Sequence, residues 1–254
     1  MPHQPLFWAV AAVAVLIVSF SKGGFAGGGA IAGVPILSTV IDPVTAAGIM
    51  LPLLIAIDAI SLWAYRRRWN WRIVRTMLPG AALGVGLGAL TFGLVNEDVI
   101  RLVLGVIVLL FVAHNWLKRR EIGDAPPRPP DWRRGTGLAT VSGFTSTVAH
   151  AGNPPIAMYL LPQKLERTTY QASNVLFFAL VNYMKTVPYA VLGLLDASNL
   201  SVSAALLPAV VVGTLAGVWL HRKISQRVFL GVVYVSLAVI GTKLIWDGAG
   251  ALWG

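Results

Sequence analysis

Cysteine is absent from the 254-residue sequence, so a disulfide framework and a thiolate site are both excluded. Charge is also scarce: Asp, Glu, Lys and Arg make up only 12% of the residues, whereas a soluble domain carries about 25%. Hydrophobic residues make up 56% of the chain, and apolar runs of about twenty residues recur from end to end. The sequence therefore predicts an all-α polytopic membrane protein.

Acidic residues are outnumbered two to one, with 20 Lys and Arg against 10 Asp and Glu and a formal net charge of +10. Such an excess could indicate nucleic-acid binding. However, sixteen of the basic residues lie in short loops between apolar runs, a distribution that sets orientation in a membrane. We therefore expect the lipid bilayer as a partner and no nucleic acid.

The sequence contains two copies of one unit. The segment GFAGGGAIAGVP begins at Gly24, and GFTSTVAHAGNP begins 119 positions later at Gly143. The pairs LPGAALGVGLG and LPAVVVGTLAG, then RLVLGV and RVFLGV, follow in the same order. We predict two repeats, residues 1–117 and 135–254, joined by a charged, Pro-rich linker at 118–134 that is not a membrane helix.

Each repeat is predicted to hold a Gly/Pro-broken segment followed by three membrane helices. The helices are expected near 44–65, 74–95 and 98–117, and near 169–195, 201–221 and 226–246. A continuous helix from Leu6 to Ile41 would span about 54 Å, against a hydrocarbon core of about 30 Å. Each broken segment is therefore interpreted as a hairpin of two half-helices that meet at the glycines.

Charge counting favours hairpins that turn back within the membrane. If both are re-entrant, each repeat crosses three times, and the sixteen loop cations share one face, leaving Arg101 and Lys243 on the other. If all eight segments cross, the split is eleven to six. The first arrangement obeys the positive-inside rule better. It makes the repeats inverted and predicts both termini outside a plasma (bacterial inner) membrane.

The first broken segment, SKGGFAGGGAIAGVP, has the composition of an anion site. Half-helix starts expose N–H groups, glycines allow a close backbone approach, and paired broken helices in inverted repeats hold transporter sites near the midplane. Lys22 lies too far from the helix entry to reach the interface easily, so we expect it to contact the ligand. The predicted substrate-binding residues here are Lys22, Gly27, Gly28, Gly29 and Gly33.

Packing is the alternative role for glycines. Gly84, Gly88, Gly213 and Gly217 are spaced by four, which predicts helix packing, and the glycine triplet could serve the same purpose. Lys185 lies in an apolar run in the second repeat. It is a substrate-binding candidate, with pairing or a reach to the interface as alternatives.

The second broken segment replaces the glycine triplet with polar side chains. Its candidates for substrate binding are Ser146, Thr147, His150, Gly152 and Asn153. Hydroxyls can donate to ligand oxygens but also cap helices. His150 has no second His nearby, so we predict a ligand contact or a proton relay and no metal site.

Asp58 is a carboxylate inside the apolar run LLIAIDAISLWAY, and Asn182 occupies the matching place in the second repeat, at an offset of 124. Asp58 could pair with a lysine or carry a coupling proton, and the sequence leaves both open. Paired carboxylates, a nucleophile–base set and metal-ligand spacing are all missing. We therefore predict that the protein is not an enzyme and uses no cofactor.

The glycine-rich stretch before VP, the DPVTAAG that follows, the LPG…G…G helix and the doubled unit resemble the TauE/SafE group of sulfite exporter-like proteins, also called TSUP. The resemblance covers nearly the whole chain. It implies a plasma-membrane carrier for sulfite, sulfonates, thiosulfate or related anions. It also marks Gly27, Gly28, Gly29 and Gly33, with Gly143, Gly152, Asn153 and Pro154 in the second copy. The missing second triplet is a departure from the family pattern.

These features together predict a secondary transporter that exports a small sulfur-containing anion, bound where the two broken segments meet. The alternatives are a carrier of a carboxylate or phosphonate on the same scaffold, and a membrane scaffold that transports nothing. Costly broken helices in both repeats argue against the scaffold. The pattern leaves a homodimer open.

Overall fold

The computed structural model describes residues 5–27, 30–92, 97–117 and 126–253, and in these ranges the chain forms helices and no strand. The ten α-helices are α1 (Pro5–Gly24), α2 (Gly33–Leu37), α3 (Pro43–Ala64), α4 (Trp71–Leu90), α5 (Glu97–Leu117), α6 (Trp132–Ala149), α7 (Asn153–Leu160), α8 (Arg167–Val191), α9 (Ala197–Lys223) and α10 (Gln226–Trp253). The predicted all-α architecture is confirmed.

Five helices are apolar and long enough to cross a membrane: Pro5–Gly24, Pro43–Ala64, Trp71–Leu90, Ala197–Lys223 and Gln226–Gly250. The protein is therefore a polytopic membrane protein. Four of the six predicted membrane helices are among these five, and the two predicted near 98–117 and 169–195 are present as helices α5 and α8. The predicted linker at 118–134 is too long at its end. Helix α6, the first leg of the second broken segment, starts inside it at Trp132, because the Asp131 carboxylate accepts from the Arg133 N–H (2.8 Å) and caps the helix.

The chain forms two compact units, and each draws on both predicted repeats. The first unit contains residues 1–71 and 168–225, and therefore α1, α2, α3, α8 and α9. The second unit contains residues 72–167 and 226–254, with α4, α5, α6, α7 and α10. The boundaries predicted for the sequence repeats are thus not the boundaries of these units, and the repeats themselves stay a prediction.

In the first unit, glycines bring α9 into backbone contact with α1. Gly213 faces Leu16, and Gly217, one turn further on, faces the carbonyl of Phe20 and the N–H of Gly24. A side chain at Gly217 would collide with this backbone. The predicted packing role of these two glycines is confirmed.

The second unit repeats this arrangement with the roles of the two sequence halves exchanged. Gly84 of α4 faces the carbonyl of Thr140 and the N–H of Phe144 on α6, and Gly88 faces Thr147. The glycine helix from each half of the chain thus packs on the broken segment from the other half, which confirms the packing role of Gly84 and Gly88.

Helices α1 and α3 of the first unit run in the same direction, so the chain must turn back between them. The Ser203 hydroxyl donates to the Ile49 carbonyl (2.8 Å), and the ring centroids of Tyr65 and His221 lie 5.3 Å apart. Residue numbers thus increase in the same direction along both helices, so α3 runs parallel to α9. The glycine contacts of Gly213 and Gly217 show that α1 also runs parallel to α9. Two helices that run parallel need a return segment between them, and α2 lies in this part of the chain.

This first return differs from the predicted pair of half-helices, because its two legs are very unequal. Helix α1 has 20 residues and α2 only five, or about 30 Å and about 8 Å of helix. The return leg also contains a short 3₁₀ turn (Ala30–Ala32), which directly precedes α2. Gly33 then packs on Val18 of α1 and Met50 of α3.

The second broken segment is a clear hairpin. The Ser142 hydroxyl of α6 donates to the Gly152 carbonyl at the start of α7 (2.7 Å), and Gly135 near the start of α6 faces the ring of Tyr159 near the end of α7. Helix α7 therefore runs back along α6 to the level at which α6 began.

Candidate functional site

A buried ion pair joins the end of α1 to α3 in the first unit. The ammonium Nζ of Lys22 lies 2.6 Å from Oδ1 of Asp58, and the Asn182 amide of α8 donates to Oδ2 at 2.7 Å. Lys22 is 6% exposed and Asp58 2% exposed. Each oxygen of this carboxylate therefore faces an N–H donor.

Lys185 adds a second buried cation to this cluster. It lies three residues after Asn182 on α8 and is fully buried, with its Nζ 5.4 Å from the ring centroid of Tyr189. Asp58 is the only buried carboxylate in the part of the chain that the structure describes. Two lysine side chains thus surround one acidic group, a composition that suits a bound anion.

These contacts answer part of what the sequence left open, and a coupling proton on Asp58 stays a prediction. Asp58 does pair with a lysine, and neither Lys22 nor Lys185 extends its amine to the surface of the unit. The predicted ligand contacts of both lysines stay predictions. The matched positions of Asp58 and Asn182 in the two repeats turn out to be in direct contact.

The break after α1 is held by amide side chains from α8. Gln171 donates to the Lys22 carbonyl (2.6 Å) and accepts from the Ala26 N–H (2.5 Å), and Asn174 donates to the Ala26 carbonyl (2.9 Å). The chain can turn here because Ala26 and Gly27 both adopt positive φ angles, 54° and 71°. Side chains of α8 therefore hold the chain in place from the end of α1 to Ala26.

The last carbonyls of α1 are also satisfied by side chains. The Tyr65 hydroxyl donates to the Gly23 carbonyl (2.6 Å), and Nδ1 of His221 lies 2.9 Å from the Gly24 carbonyl. Orphan carbonyls at a helix end need such partners inside a membrane. Sequence reasoning did not identify Gln171 or Asn174, although polar amides in the largely apolar helix α8 were a signal.

The predicted glycines of the first broken segment have different roles. Gly27 supplies the positive φ of the turn. Gly33 packs closely on Val18 and Met50, and its predicted ligand contact stays a prediction. Gly28 and Gly29 lie outside the described residues.

The candidates of the second broken segment lie in the second unit. Ser146 and Thr147 are buried, and the Thr147 hydroxyl donates to the Gly143 carbonyl (2.8 Å). The donor that was expected to serve a ligand is therefore engaged by the helix itself. His150 ends α6 with a positive φ of 51°, and Gly152 packs closely on Ser142 and Ser146. Asn153 is half-buried at the start of α7.

The structure brings together Lys22, Asp58 and Lys185 in the first unit, and the five candidates of the second broken segment in the second unit. That the two broken segments share one ligand stays a prediction.

Three buried hydroxyls near the ion pair have no hydrogen-bond partner. They belong to Ser19 of α1, Ser61 of α3 and Thr214 of α9. Helical hydroxyls commonly donate to the carbonyl four residues earlier, as Thr145 and Ser203 do here. Three fully buried exceptions on three helices that pack together form a polar layer beside Lys22 and Asp58.

A family model described as Sulfite exporter TauE/SafE matches residues 11–244, which is nearly the whole chain. Neither the curated proteins nor the solved structures gave a match.

Proposed function

Because the chain belongs to the sulfite exporter TauE/SafE family, a family of membrane transporters for sulfite and related sulfur anions, we propose that it is a secondary carrier that exports a small sulfur-containing anion, sulfite or an organosulfonate. The multi-pass helical fold fits a transporter.

The observation that carries this proposal is the buried cluster of Lys22, Asp58, Asn182 and Lys185. Charged residues inside membrane proteins are costly and mark substrate or ion pathways. A structural ion pair would need one lysine, and this cluster has two. The second cation offers a charge-assisted contact to an oxyanion.

The break after α1 supports the same proposal. Non-helical backbone at membrane depth is tolerated where protein buries it or where it lines a cavity. Here the break begins directly after the last turn of α1, which contains Lys22. Side chains of three other helices contact this point. We propose that this break contributes backbone donors to the anion, with Gly27 giving close access.

Replacing Lys185 with methionine should weaken anion binding about ten- to hundredfold, because a charge-assisted hydrogen bond contributes about 1.5–3 kcal/mol. The purified protein would be titrated with sulfite, methanesulfonate, sulfoacetate, taurine, sulfate, acetate and methylphosphonate, with binding followed by thermal shift and calorimetry. We expect sulfite or a sulfonate to bind most tightly.

The matched control is Lys243→Met. Lys243 is also a helical lysine, but its side chain is 47% exposed and pairs with Asp247 one turn away, so its removal should leave binding unchanged. Equal affinities in the Lys185→Met variant and the wild type would contradict the proposed site. A clear preference for acetate or methylphosphonate would contradict the proposed substrate class.

We also propose that the protein lies in the plasma membrane with both termini outside. In the first unit α3 and α9 run parallel, so the basic residues that follow or end them lie at the same end: Arg66, Arg67, Arg68, Arg222 and Lys223. Reporter fusions at residue 254 and within 118–134 should report opposite faces, with the linker inside. A cytoplasmic signal from residue 254 would contradict the re-entrant arrangement.

A further inference from the structure

We propose that the carrier couples anion binding to protonation of Asp58, through an exchange of ion-pair partners at Lys22. This inference rests on the proposed function and names its coupling ion. In the structure Lys22 pairs with Asp58. In the loaded state Lys22 would pair with the substrate anion instead, while Asp58 holds a proton.

The surroundings of Asp58 favour a proton over a metal cation. Its Oδ1 faces the Lys22 ammonium at 2.6 Å, and its Oδ2 accepts from the Asn182 amide at 2.7 Å. Hard metal ions require several oxygen ligands around them, whereas both neighbours of this carboxylate are N–H donors. The ammonium group stands where a coupling sodium ion would have to bind.

The charge balance of the exchange explains why the two events are linked. One proton adds to the Asp58 carboxylate and makes a neutral acid, so the attraction to Lys22 is lost. The incoming monovalent anion then accepts the hydrogen bond from Lys22. Lys22 therefore faces one negative charge both before and after the exchange. Protonation without the anion would leave the buried Lys22 ammonium without its partner. An anion bound while Asp58 is still ionised would place two negative charges side by side, which is also unfavourable.

The layer of hydroxyls supplies the hydrogen bonds that the exchange requires. Ser61 lies three residues after Asp58 on α3, and Ser19 lies three residues before Lys22 on α1, so each is one turn from a member of the pair. Thr214 faces Gly23 from α9. None of these hydroxyls has a partner in this state, so they can donate to an anion or accept from the protonated acid.

Other titratable groups around the cluster must be distinguished from Asp58. Lys22 faces it from α1, and Lys185 acts on it electrostatically from α8. From α9, His221 contacts the Gly24 carbonyl and the ring of Tyr65, which lies two turns after Asp58 on α3. Histidine is the side chain that most often titrates near neutral pH, so His221 requires its own control.

The test is calorimetry of methanesulfonate binding to the purified full-length protein. Methanesulfonate stays ionised throughout, so protons taken up on binding enter the protein. Repeating the titration in buffers of different ionisation enthalpy should give an uptake of about one proton per anion. The dissociation constant should rise about tenfold for each unit of pH increase where Asp58 is ionised. Replacing sodium with choline should change neither value.

Asp58→Asn imitates the protonated acid, so it should bind methanesulfonate with an affinity that does not change with pH and without proton uptake. His221→Gln should keep the wild-type pH dependence. Binding by the wild type without proton uptake, or a requirement for sodium, would overturn the exchange. So would a pH dependence that survives in Asp58→Asn and disappears in His221→Gln.

If Asp58→Asn does not fold, a wild-type count of zero still overturns the exchange, and a count of one that persists in both His221→Gln and Lys185→Met still assigns the proton to Asp58. A wild type that binds no methanesulfonate would instead count against the proposed function, because a sulfonate belongs to the substrate class on which that proposal rests. The two failures are therefore distinguishable.

Discussion

Replacing Asp58 with leucine should lower the free energy of unfolding by about 3–5 kcal/mol, because the buried ammonium of Lys22 would lose its carboxylate partner. Asn182 would also lose the acceptor for its amide. Thermal melts of the purified protein, without an added anion, would measure this loss. The expected effect approaches the whole stability of many folded domains.

The double variant Lys22→Met/Asp58→Leu should recover most of that stability, because an apolar pair needs no desolvation of charge. It should bind no anion. Recovery of stability together with loss of binding would mean that the pair is kept for transport. A double variant as unstable as Asp58→Leu would contradict this and assign the pair a structural role.

Replacing Gly217 with alanine should destabilise the protein by about 3 kcal/mol, the upper end of the range for overpacking. A methyl group at this position would collide with the Phe20 carbonyl and the Gly24 N–H of α1. These are backbone atoms next to the break, so they cannot rotate away. Thermal melts and the yield of folded protein would report the effect.

Gly231→Ala is the matched control. Gly231 lies in the interior of α10, where an added methyl group would meet nothing within 4 Å. Alanine in the middle of a helix generally increases stability by about 0.5–1 kcal/mol over glycine. If both variants melted like the wild type, close packing of α9 on α1 at Gly217 would be contradicted.

The sequence predicted the long helices well because each is an apolar run bounded by polar or proline residues. Helix α3, expected at 44–65, spans Pro43–Ala64 and begins where Asp42 accepts from the Thr45 N–H (2.8 Å). The short return leg could not be predicted in this detail. Helix α2 has five residues, which carry too little periodicity to set its ends.

The candidate site was predicted in part. Lys22, Asp58 and Lys185 stood out because a charge in an apolar run has few ordinary explanations. Their partners were harder to find, since Gln171 and His221 contact α1 across sequence distances of well over a hundred residues. A local pattern cannot specify which helices become neighbours, and no repeat offset predicted these contacts.

The packing of helices from one half of the chain on helices from the other half has a consequence for biosynthesis. Helix α1 needs Gln171 of α8 and His221 of α9 to complete its last turn. At a synthesis rate of about 5–20 residues per second, those residues follow α1 by roughly ten to forty seconds. During that interval the nascent chain holds a helix end with unsatisfied carbonyls in or near the bilayer. The last turn of α1 therefore gains its full set of hydrogen bonds only after α8 and α9 have been made.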